Sequence, residues 1–174
     1  MSEQDQPAIA LEMALHQAVD QQLDAIVQAA VRVACLLENG TMRQSQLRNV
    51  LNTALNTESL ELVANFIRYQ IGRSSAWQQK NFGEELIAAL HQNGAVGQAA
   101  VRAAQAKRVI AILGEQTTTD EIRHRAHMML ARRFLGELNR AFAYADARSG
   151  WQNLKPILET QSKPALASPA AQEG

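Results

Sequence analysis

The sequence predicts an all-α protein: one compact bundle of about five to six helices, with a long N-terminal helix and a flexible C-terminal tail. Three observations lead there. Alanine, leucine, glutamine and arginine dominate, all good helix formers, and alternating β-branched runs are absent. The prolines stand at positions 7, 156, 164 and 169, so no ring interrupts the long middle of the chain. Most glycines fall between the apolar-periodic segments, where helices stop. With 174 residues, 47% apolar and 20% charged, the chain suffices for a single domain with a sizeable core. That domain is expected over 1–160 and the tail over 161–174.

A first helix is expected from about Pro7, a residue suited to a helix start, to Glu38, with Asn39-Gly40 as its stop. A second covers about 45–56, and Thr57 with Glu58 opens a third that ends at Gly72. Ser75 and Gln78 have capping-box spacing and lead into a fourth helix through Leu90. Gly94 and Gly97 flank a turn before an alanine-rich fifth helix to Leu113. Thr118 and Glu121 repeat the capping box and open a sixth helix to about Arg148. Trp151 to Leu158 docks weakly, and "SKPALASPAAQEG" reads as tail.

The formal net charge is zero, yet it is unevenly spread. Residues 1–40 hold Glu3, Asp5, Glu12, Asp20, Asp24 and Glu38 against Arg32 alone, while the following hundred residues are basic. Of the 17 basic residues, four are lysine (80, 107, 155 and 163) and the rest arginine. Arginine suits bidentate phosphate contacts and stacking on bases.

Several function classes lack the residues they need. Cys35 is the one cysteine and lies in an apolar run, so it fills core space, and a reducing cytoplasm is the expected compartment. "MSEQDQPAIA" is polar and acidic, unlike a secretory signal. No apolar stretch nears the ~20 residues that span a bilayer. GxxxxGK[ST], GxGxxG, GxSxG and HExxH are all missing. His124 and His127 are three apart, but no further ligand stands at metal spacing and neighbouring arginines repel a cation. Trp77 and Trp151 read as packing residues. No cofactor, metal or enzymatic activity is expected.

The stretch "RHRAHMMLARRFLGELNRAFAYADARSG" (123–150) is the most informative. Projected at ~100° per residue, Leu130, Phe134, Leu135, Leu138 and Phe142 form a core-facing stripe. Arg125, Arg132, Arg133 and Arg140 gather in another sector of roughly 100°, a ridge about 22 Å long. Such a ridge could track consecutive phosphates. A solvated outer face paired with Glu137 fits the same pattern. The helix pair at 45–72 is a weaker candidate for a DNA-reading helix-turn-helix, since that motif's glycine turn is missing.

Three stretches in order resemble one family. "SQLRNVL" (Ser45 to Leu51), "FIRYQIGR" (Phe66 to Arg73), and "FGEELIAAL" followed by "RRFLGELNRAFAYADARSG" are similar to segments of the Csm-type small subunit of type III CRISPR effector complexes. The resemblance covers most of residues 41–150, as in a divergent member. It implies a non-catalytic helical subunit of an RNA-guided interference complex, present in several copies. The implied partners are guide RNA and target RNA, the large polymerase-cyclase subunit, the backbone subunits and further copies of the chain. It also implies that arginines line the channel in which guide and target pair.

Carried over motif by motif, Arg48 and Arg73 are the matched positions, with Arg68 beside them. Arg132, Arg133 and Arg140 lie in the last motif, and Arg125 extends the ridge. Arg132→Glu with Arg133→Glu is expected to weaken RNA association and leave the fold intact. The acidic first helix, through Asp20 and Asp24, is expected to face away from RNA or to meet a basic patch on the next copy. The alternative function is a helical scaffold or adaptor that binds only protein.

Overall fold

The computed structural model describes residues 5–113 and 119–159, and every regular element among them is helical. The order is α1 (Asp5–Asp20), α2 (Leu23–Ala34), a 3-10 turn (Cys35–Leu37), α3 (Gln44–Leu55), α4 (Leu60–Arg73) and the single turn α5 (Ser75–Gln78). A second 3-10 turn (Gln79–Asn81) leads to α6 (Phe82–Leu90), α7 (Ala95–Ala104), α8 (Lys107–Leu113), α9 (Thr119–Arg148) and α10 (Trp151–Glu159). The class is all-α, in more and shorter pieces than the sequence predicts.

The expected helix from Pro7 to Glu38 is broken. Gln22 N–H turns back to the Val19 carbonyl at 2.9 Å, and the α ladder resumes only when Ile26 N–H bonds Gln22 O at 3.1 Å. The reason is packing. Helix α1, with Leu15, Ala18 and Val19 buried, packs mainly on α7 and α8, whereas α2, with Ile26, Ala30 and Val33 buried, packs mainly on α9. One straight rod could not serve both surfaces.

The expected helix 75–90 also breaks, because Lys80 and Asn81 adopt left-handed φ values of 47° and 57°. Its capping box is not made: Gln78 Nε2 donates instead to the Ile71 carbonyl at 2.8 Å. The alanine-rich helix divides at Gln105 and Ala106 into α7 and α8. Helix α4 starts two residues later than expected, with Ser59 Oγ accepting from Leu62 N–H at 3.2 Å and Thr57 Oγ1 accepting from Ser59 N–H at 3.0 Å. Thr118 and the expected tail lie outside the described residues.

Helix α9 is the axis of the fold. Its 30 residues extend about 45 Å, and α2, α7 and α3 pack around it. Phe134 and Phe142 of α9 are buried with Ile26, Leu37, Leu47 and Ile122. Burial of side chains this size contributes roughly 1.5–3 kcal/mol each. Trp77 and Phe82 pack at 5.5 Å between ring centroids, both fully buried. Helix α10 closes the end of α9 through buried Leu154 and through Trp151, which meets Phe142 edge-on at 6.0 Å. No helix among the described residues is long and apolar enough to cross a membrane.

Candidate functional site

Neighbours surround the middle of α9 on several sides, and its exposed residues fall in its first turns (Asp120, Glu121, Arg123, His124 and Arg125), at its C-terminal end, and along one strip of its outer face. The outward strip is Arg133, Glu137, Arg140, Tyr144 and Arg148, within a sector of about 80°. Arg133, Arg140, Tyr144 and Arg148 are exposed. Arg140 pairs with Glu137, one turn earlier. Arg133 and Arg148 have no ion-pair partner among the described residues.

The remaining candidate arginines have separate positions. Arg48 is exposed on α3 and has no ion pair among the described residues. On α4, Arg68 pairs with Glu61 at 2.5 Å. Arg73 donates to the Tyr69 hydroxyl at 2.6 Å, and its guanidinium lies 5.1 Å from that ring's centroid. Arg125 reaches sideways to Glu12 and ties α9 to α1. Arg132 turns toward α3 and donates to the carbonyls of Ala54 at 3.0 Å and Thr57 at 2.9 Å, and to Glu58 Oε1 at 2.5 Å.

This arrangement corrects the expected ridge. A projection with one apolar stripe leaves Arg125 and Arg132 outside, but both lie ~80–100° around the helix from Arg133, on a flank that α1 and α3 occupy. It also corrects the expectation that Arg132→Glu leaves the fold intact. A carboxylate there would face two carbonyl oxygens and Glu58 with nothing to donate.

The acidic N-terminal segment is held from within. Besides the Glu12–Arg125 pair, Arg102 Nε donates to Gln22 Oε1 at 2.8 Å and Arg108 to Gln17 Oε1 at 3.1 Å. Asp20 and Asp24 are exposed, with no ion pair among the described residues. The loop joining α3 and α4 is tied to α9 by Arg132 and by His124, whose Nε2 lies 2.9 Å from the Glu58 carbonyl.

A cleft of about 510 Å³, which no motif or spacing in the sequence announces, lies between α4, α6, α7 and α9. It brings His91, His124 and His127 together with Arg68 and Arg123. His127 is buried, and its Nε2 lies 2.7 Å from the Leu90 carbonyl. Burial above all, with His124, His91 and Arg123 nearby, pushes its pKa below the ordinary value of 6.5, against the raising effect of the Leu90 hydrogen bond. His91 Nδ1 accepts from Asn93 N–H at 3.3 Å. The turn beneath fits because Gly97 has no side chain: a Cβ there would run into the Gln92 backbone. Among the described residues, no three His, Cys, Asp or Glu converge to hold a metal ion. Spacing exposed the His124/His127 pair, but only the fold brings His91 to it.

Cys35 is partly buried against the core, and desolvation raises its thiol pKa. No protein-family model, no curated protein and no solved structure matches this chain.

Proposed function

We propose that this chain is a non-catalytic, RNA-associated small subunit of a type III CRISPR interference ribonucleoprotein in the cytoplasm. In this reading it supports the guide–target RNA channel through arginine–phosphate contacts. The large polymerase-cyclase subunit, the backbone subunits and further copies of the chain are its protein partners. The observation that carries the reading is the outward strip of α9, where Arg133, Arg140 and Arg148 extend over about 22 Å against Glu137 as the strip's carboxylate. Contacts of this kind position a polyanion without reading bases, as base pairing supplies sequence specificity. The ordered resemblance of the three motifs supports the same reading, with Arg48 and Arg73 as further cations. Arg125 and Arg132 serve the fold instead.

The test is anisotropy titration of single-stranded and guide-paired RNA over a range of salt. Arg133→Glu/Arg140→Glu/Arg148→Glu should keep its helical signal, lose most of its affinity, and flatten the salt slope on single strands by about 2. Unchanged affinity and slope would overturn the reading. A protein-only scaffold is the second reading, favoured by Leu62 and Tyr69, exposed on one side of α4. It predicts no RNA binding at any salt.

A further inference from the structure

Tyr144 stands on the outward strip between Arg140 and Arg148 and is held at its hydroxyl and along one ring edge. Its hydroxyl accepts from Asn153 Nδ2 at 3.2 Å. Its ring rests against Gly150, where an added Cβ would come within 2.9 Å of Cε1. The residue nevertheless stays 43% exposed. Its neighbours along the helix leave room: Ala147 stands one turn on and Ala143 immediately before. Arg140 and Arg148 lie four residues to either side, each about 6 Å along the axis.

A rigid, half-open aromatic ring between two cations is the pattern that binds single-stranded nucleic acid, with the ring taking a base face and the cations the flanking phosphates. Anchoring matters because an already ordered ring gives up little rotamer freedom on stacking. The charge of the strip selects a polyanion over an apolar peptide. A base inside a duplex is stacked on both faces and offers none to the ring, so the occupant is an unpaired nucleotide.

We propose that Tyr144 is a stacking platform for an unpaired base of single-stranded RNA, with Arg140 and Arg148 on the adjoining phosphates. This rests on the RNA-associated reading above.

The experiment uses the full chain and an oligouridine RNA carrying one 2-aminopurine, following its fluorescence and, separately, anisotropy across salt. Wild type should quench the 2-aminopurine on binding. Tyr144→Ala should bind about 5- to 140-fold more weakly, with the salt slope unchanged and the quench abolished. Tyr144→Phe should retain most of both signals, and Tyr144→Leu, which keeps apolar bulk without a π face, should behave like Tyr144→Ala. If Tyr144→Ala fails to fold, the Phe–Leu comparison decides alone. Wild-type affinity and quench in Tyr144→Leu overturn the platform while leaving the arginine contacts standing, and so does a reduced salt slope in Tyr144→Ala. Wild type that binds no RNA overturns both.

Discussion

Arg132 on α9 donates from Nε to the Ala54 carbonyl at 3.0 Å, so the last turn of α3 ends on a guanidinium from another helix. The final carbonyls of a helix lack intrahelical donors, and the negative end of its dipole favours a cation. Arg132→Ala is expected to lose about 1.5–3 kcal/mol in urea unfolding. Arg132→Lys should recover only part, because one ammonium lacks the planar fork that meets Ala54 and Thr57 together. A loss below about 0.5 kcal/mol, the range of ordinary surface changes, would contradict this role.

Gly97→Ala tests the turn under the cleft. Alanine favours a helix interior by about 1 kcal/mol, yet its Cβ would meet Gln92 backbone atoms, which cannot swing aside as a side chain could. Overpacking should prevail, with a net loss of about 1–3 kcal/mol and a lower Tm. An unchanged Tm would show that the turn has slack.

His127 should make stability depend on pH. Its folded pKa is lowered from 6.5, so below about pH 6.5 the unfolded chain takes up a proton that the folded chain does not. Stability from this residue is therefore complete above 6.5 and falls as pH drops toward the folded value. His127→Gln, which can still donate to the Leu90 carbonyl, should flatten that segment of the curve. Urea midpoints at pH 7.5 and 5.5 for both proteins check it, and parallel slopes would refute the assignment.

The Glu12–Arg125 pair is about half exposed on both sides. A double-mutant cycle with alanine at each position should give a coupling of about 0.2–1 kcal/mol. Hydrogen exchange should show α1 opening more readily in the single variants. Zero coupling would mean that apolar contacts alone seat this helix.

Local chemistry made much of the fold legible. Pro7, Asn39-Gly40, Gly94 and the absence of mid-chain proline placed most helix ends within a few residues. The interruptions were not legible, because no breaker marks them. Gln21-Gln22 and Gln105-Ala106 are acceptable helix residues, and the chain turns there because successive apolar faces meet different neighbours. Lys80-Asn81 takes left-handed backbone with no glycine to announce it.

For the candidate site, Arg133 and Arg140 were legible as solvent-facing cations. Arg132 was not, because its partners are carbonyls some 75 residues earlier in the chain. Tyr144 is not legible either, because a helical wheel cannot show an aromatic ring anchored from beyond the helix end by Asn153 and Gly150.

A central helix hemmed in by α2, α7 and α3 has little latitude to vary. A saturation scan along α9 would read like a barcode, with tolerant bars in the first turns at 120, 121 and 123, then at 133, 137 and 140, and again at 146–148, between intolerant blocks. Drift through the blocks would demand compensating changes in three other helices at once. On this helix, whatever the molecule learns to grip differently over time has to be written in those few open margins.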